Sequence, residues 1–182
     1  MVCVFLAPGF EEIEALTAVD ILRRAGAKLV TAGIGGRQIT GAHNVTVLAD
    51  TDDSSIDGKD LEMVVLPGGP GTGNIEKSPH ALKMIDYALK ENIPVGAICA
   101  APTVLGHMGA LKGRKAVCYP GCEAELRGAV IAADSVCEDG NIITGNGPGA
   151  STAFALRLVK KLKGADTARR VAEAMQVREN YV

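Results

Sequence analysis

The chain has no tryptophan, only 3% aromatic residues and three histidines. A core must therefore be built from Val, Ile, Leu and Ala, and any chemistry that rests on imidazole has few sources. There is no run of Lys or Arg, and the formal net charge is −2. That balance argues against nucleic acid or an anionic membrane as the main partner. No apolar stretch approaches membrane-spanning length, and the start of the chain has no basic segment of a secretory signal, so the cytoplasm is the expected location. Paired cysteine spacing is missing too. The five cysteines, Cys3, Cys99, Cys118, Cys122 and Cys137, are odd in number and form no disulfide framework. Cys118 and Cys122 resemble half a metal site, but no second Cys/His pair follows at zinc-site spacing, so no metal is expected.

What is present is an α/β composition: 47% hydrophobic residues and 22 glycines in 182 residues, enough for a single domain over 1–182 that buries its core without staples. Apolar runs at Val2–Ala7, Lys28–Ala32, Glu62–Leu66 and Val95–Ile98 read as buried strands. Helical patterns follow at about 11–25, 79–91, 102–108, 150–162 and 167–175. Residues 33–48 read as a small hairpin with turns at Gly35-Gly36 and His43-Asn44, which makes His43 an exposed turn residue. Ala116–Tyr119, 129–134, 135–137 and 141–144 read as further strands.

The organising stretch is Ile93 to Thr103. A short buried strand runs into Cys99, and Pro102 suits the first position of the following helix, where a missing N–H loses no bond. Cys99 thus sits on a tight strand-to-helix turn beside the positive end of a helix, a setting that favours a thiolate. The bland alternative is a small buried hydrophobe. Position favours reactivity, because open α/β sheets place ligand sites at the carboxyl ends of their strands, and a sharp turn presenting a nucleophile is the logic of the elbow.

Two glycine-rich loops fall at the same sheet edge. Pro67-Gly68-Gly69-Pro70-Gly71 lets backbone N–H groups approach a ligand or a developing oxyanion. It matches neither the P-loop nor the dinucleotide fingerprint. Gly145-Asn146-Gly147-Pro148-Gly149 is the second. Tyr119 offers a phenolic donor nearby. Glu11, Glu12 and Glu14 open the first helix; helix-face neighbours weakly favour Glu14, and to a lesser degree Glu12, as protein-facing. A carboxyl so placed has its pKa raised by desolvation. His107 lies roughly 12 Å along its helix from the cysteine and cannot be its base.

Taken together, Gly9-Phe10-Glu11-Glu12-Ile13-Glu14, Leu66-Pro67-Gly68-Gly69, Ala97-Ile98-Cys99-Ala100-Ala101-Pro102 and Gly147-Pro148-Gly149 resemble, in order and spacing, the ThiJ/PfpI superfamily. They look most like its branch named for the parkinsonism-associated deglycase. The resemblance covers nearly the whole chain. It implies a flavodoxin-like three-layer α/β sandwich with a mostly parallel central sheet, a homodimer, and an active site that needs no cofactor. Position by position it makes Cys99 the nucleophile and Glu14 its protonated partner. Gly68, Gly69 and Ala100 become donors around the reacting oxygen, with Tyr119, Asn146 and Pro148 on the substrate side and Arg24 on the dimer side. The chain departs from the amidotransferase and peptidase relatives, since Ala100-Ala101-Pro102 follows the cysteine and no triad histidine is present. It also carries Tyr119 where animal deglycase-type members carry histidine. The implied substrate is a small α-oxoaldehyde such as methylglyoxal, converted to lactate in the manner of glyoxalase III, or an early glycation adduct. The alternative is an oxidative-stress sensor or chaperone that uses the same oxidisable cysteine without significant turnover.

Overall fold

The computed structural model describes residues 1–177; the last five residues of the expected 1–182 domain lie outside the described residues. In chain order the elements are β1 (Val2–Leu6), α1 (Glu12–Arg24), β2 (Leu29–Gly33), β3 (Gln38–Thr40), β4 (Thr46–Leu48), β5 (Thr51–Asp52), β6 (Met63–Leu66) and α2 (Thr72–Glu76). These are followed by α3 (Pro79–Lys90), β7 (Val95–Ile98), α4 (Pro102–His107), β8 (Lys115–Ala116), β9 (Val130–Ile131), β10 (Val136–Asp139), β11 (Ile142–Gly145), α5 (Ser151–Lys163) and α6 (Ala165–Ala174).

Among the described residues, seven strands form one sheet in the order β10-β11-β7-β6-β1-β2-β5. Every neighbouring pair is parallel except β10 with β11, which are joined antiparallel at the edge. The inner strands β1, β6, β7 and β11 are buried along their whole length, as continuous apolar runs in a doubly covered parallel sheet must be. One face packs Val4, Leu6, Val65 and Ile98 against α1, α5 and α6; the other packs Phe5, Val64, Leu66 and Ala97 against the α3 and α4 side. Each large aliphatic or aromatic side chain fully buried there contributes about 1.5–3 kcal/mol. Gly96 lets β7 approach α5: a Cβ built on it would lie 2.6 Å from Leu158 and 3.0 Å from Phe154. This is the expected three-layer sandwich with a mostly parallel centre. No helix among the described residues is long and apolar enough to cross a membrane.

Two expected strands, Ala116–Tyr119 and 129–134, are shorter than the pattern implied. The Ala116–Tyr119 run becomes β8, which pairs only with β9 in a separate parallel ribbon. The reason is local: the Val117 N–H is taken by the Thr144 hydroxyl at 3.0 Å, so the chain turns away from ladder pairing and leaves Tyr119 in a loop.

Candidate active site

Cys99 stands at the end of β7 with φ +64°. A non-glycine residue in that left-handed region costs about 1–3 kcal/mol and persists only where its surroundings hold it. Both of its backbone groups are held. Its N–H donates to the Gly145 carbonyl at 2.8 Å, and its own carbonyl accepts the Tyr119 N–H at 2.8 Å. Pro102 opens α4 three residues later, as the sequence predicts.

The loop after β6 packs directly on this turn. A Cβ on Gly68 would sit 2.7 Å from the Cys99 Cβ, and Gly69, at φ +96°, has no room for one against Glu11 N and Gly9 O. The sequence expectation made Gly68 a donor to the reacting oxygen. Its N–H is instead donated to Glu14 Oε2 at 2.8 Å, which leaves the N–H groups of Gly69 and Ala100 directed to the Cys99 sulfur.

Glu14 comes from the first turn of α1 and is 1% exposed. Its carboxyl lies beside the Cys99 thiol, close enough for each to shift the other's pKa, while Oε1 is buried without a hydrogen-bond partner among the described residues. Burial pushes Glu14 up to about 7, opposed by the Gly68 N–H and the thiol and reinforced by the charge of Glu11. For Cys99, burial and then the Glu14 carboxylate push the thiol up to about 12, against the two N–H groups. The helix end alone therefore does not hold the sulfur ionised, contrary to the sequence expectation. Desolvation, with an acid in contact, outweighs a six-residue helix.

Around the sulfur lies a cavity of about 340 Å³, lined by Glu11, Gly69, Pro70, Cys99, Ala100, Tyr119 and Pro148. Pro148 and Tyr119 are thus on its wall. Asn146 is not; its N–H donates to the Ser135 carbonyl at 3.0 Å. Arg24 lies in a separate groove of about 360 Å³ with Arg170 and Thr167, and its Nε donates to Asp20 at 2.6 Å. His107 is engaged by Glu76 and, at 2.8 Å, by Glu125, away from the sulfur.

Two groups at or beside the cavity wall were given no site role by the sequence reading. Glu11, nearly buried, caps α1 and turns its side chain into the cavity. His43, in the β3–β4 turn, returns to α1: its Nδ1 lies 2.9 Å from Glu12 Oε2 and 3.6 Å from Glu11 Oε1. Glu12 also accepts the N–H groups of His43 at 2.8 Å and Val45 at 3.3 Å. Glu11, Glu12 and His43 converge within 4.8 Å. Because both Glu12 oxygens are already occupied by these donors, the group is an ion-paired hydrogen-bond cluster rather than a coordination site. Nothing in local periodicity marks such a contact, which is made by the hairpin as a whole.

A cysteine on a strained strand-to-helix turn, with a buried carboxyl beside its sulfur at the carboxyl edge of a doubly covered parallel sheet, marks an α/β protein with its candidate site at the strand ends. The chain belongs to the DJ-1/PfpI family, whose sequence model matches residues 1–161. It is 36% identical over 181 residues to Protein dj-1beta of Drosophila melanogaster, covering 97% of each chain. The crystal structure of that fly protein superposes with a TM-score of 0.92 at 35% identity, over 97% of both chains. The chain is also 30% identical over 155 residues to a Caenorhabditis elegans protein named glutathione-independent glyoxalase DJR-1.2, covering 85% of this chain and 83% of that one. To a protein of Pyrococcus abyssi named as a deglycase it is 29% identical over 164 residues, covering 89% and 99%.

Proposed function

We propose that the protein is a cysteine enzyme that converts α-oxoaldehydes such as methylglyoxal to 2-hydroxy acids, and that the same sulfur removes early glycation adducts. The observation that carries this reading is the Glu14–Cys99 contact at the wall of a cavity sized for a small molecule. The glyoxalase and deglycase names of the two relatives support it.

Between the pKa values of the two groups, about 7 and about 12, the pair holds one proton and one negative charge. As substrate enters, the thiol proton passes to the Glu14 carboxylate. With the acid neutral, its charge no longer opposes the sulfur, and the N–H groups of Gly69 and Ala100 remain to favour the thiolate. The sulfur attacks the aldehyde carbon: a C–S bond forms, the carbonyl π pair moves to oxygen, and these same N–H groups receive the oxyanion. Glu14 gives its proton to the oxyanion and is again a carboxylate. It then takes the proton from the former aldehyde carbon, giving an enediolate, and returns it to the neighbouring ketone carbon while the hydroxyl proton passes between the two oxygens, which turns the hemithioacetal into a thioester. Water cleaves the C–S bond, releases lactate and returns the thiol.

In this reading the working form is a cytoplasmic homodimer of one 1–182 domain. Exposed Ile13 and Leu16 on α1 and Val45 and Leu48 of the hairpin region support an apolar contact face. The test is lactate formation from methylglyoxal by wild type and Cys99→Ser. The variant should lose about 10³-fold or more; equal rates would remove Cys99 from the chemistry.

A further inference from the structure

The cavity wall carries one charge that the proposed chemistry does not use. Glu11 is nearly buried, lines the Cys99 cavity, and has His43 as its paired cation among the described residues, at 3.6 Å. Its charge is felt at the reacting pair, because it is one of the causes that raise Glu14. His43 is itself largely exposed, so its protonation follows the solvent, yet it is tied to the wall through Glu12 at 2.9 Å and through its own N–H. With the imidazole charged, Glu11, Glu12 and His43 sum to one negative charge; with it neutral they sum to two.

We propose that His43 sets the charge of the Cys99 cavity through Glu11, and so determines how much negative charge a ligand can bring to the sulfur. It is a positioning residue, touching the wall carboxylate and not the reacting atoms. Protonated, it weakens the repulsion of anionic compounds, such as carboxylated or phosphorylated α-oxoaldehydes and adducts; neutral, it leaves a wall that repels them more strongly. The substrate class rests on the catalytic reading above, but the charge effect does not. The bond to Glu12 first, and the charge of Glu11 second, hold the imidazole above its ordinary pKa. The other titratable groups lining the cavity are Cys99 and Tyr119, and Glu14 is buried beside Cys99. Glu14, pushed up to about 7, titrates as well, so a comparison of variants is required.

The probe is alkylation of Cys99, followed on its own peptide by mass spectrometry, with iodoacetate and with iodoacetamide. The ratio of the two rates cancels the thiolate fraction and reports local charge. In wild type the ratio should fall by about three- to tenfold from about pH 6 to about pH 9, as a neighbouring cation is lost. His43→Gln should be low already at the acidic end. His43→Arg, which keeps the charge, should match wild type at the acidic end and retain a higher ratio at the alkaline end, where only Glu14 contributes to the fall. Identical ratios and identical pH dependence in all three proteins would overturn the proposal. Because alkylation is stoichiometric, absent lactate formation with a His43-dependent ratio overturns the catalytic reading alone. Turnover with a His43-independent ratio overturns this one.

Discussion

Glu14 and Cys99 face each other at the end of the sheet, and their proximity acts in opposite senses on the two groups: it lowers the pKa of the carboxyl and raises that of the thiol. Neither group can be altered without changing the proton affinity of the other.

Glu14→Gln keeps an acceptor for the Gly68 N–H but cannot take a proton. Its kcat/KM for methylglyoxal should fall by about 10²–10⁴-fold, the usual worth of a positioned acid–base group. Because the carboxylate charge raises the thiol, the midpoint of Cys99 alkylation should move to lower pH in this variant. A more reactive sulfur in a less active enzyme is the expected signature; a midpoint moved upward would contradict it.

Stability should vary with pH through the same carboxyl. Its folded pKa of about 7 lies above the ordinary 4.5, so between these values the folded chain holds a proton that the unfolded chain has released. The folded state is therefore favoured at the acidic end, and this advantage, up to about 3 kcal/mol, declines as pH rises from about 4.5 to about 7. Urea unfolding at about pH 5 and about pH 8 should reveal the decline in wild type and a smaller one in Glu14→Gln.

Gly69→Ala places a Cβ at φ +96°, 2.6 Å from the Glu11 nitrogen. A loss of about 1–3 kcal/mol in stability is expected from the strained backbone. Displacement of the Gly69 N–H should lower kcat at a given fraction folded. Chemical denaturation together with active-site titration separates the two effects.

Tyr119→Phe tests the phenol on the cavity wall. A single neutral hydrogen bond contributes about 0.5–1.5 kcal/mol, so kcat/KM should fall by about two- to tenfold with no change in the Cys99 alkylation profile. An unchanged kcat/KM would reduce Tyr119 to a surface that shapes the cavity.

The inner strands and the elbow were legible in the sequence because burial on both faces demands continuous apolar runs, and because Pro102 marks where the helix begins. Glu14 was separable from Glu12 only by resemblance. Both are buried, but Glu12 turns to the hairpin and Glu14 to the elbow, a difference of tertiary partners that helix-face neighbours do not encode. His43 was read as a solvent-facing turn residue. It is exposed, yet its Nδ1 reaches a carboxylate 31 positions earlier in the chain. Tyr119 was placed on a strand because its neighbours are apolar; the Thr144 hydroxyl, which captures the Val117 N–H, decides otherwise.

The walls around Cys99 come from Glu11, Gly69, Tyr119 and Pro148, segments spread from one end of the chain to the other. No contiguous fragment contains them, so the cavity exists only in molecules whose N-terminal and C-terminal halves have docked. Because only such molecules bury this sulfur and hold its pKa above the free value, the slowly labelled fraction of Cys99 at a fixed pH doubles as a census of complete molecules in a preparation, a count that bulk helix content does not provide.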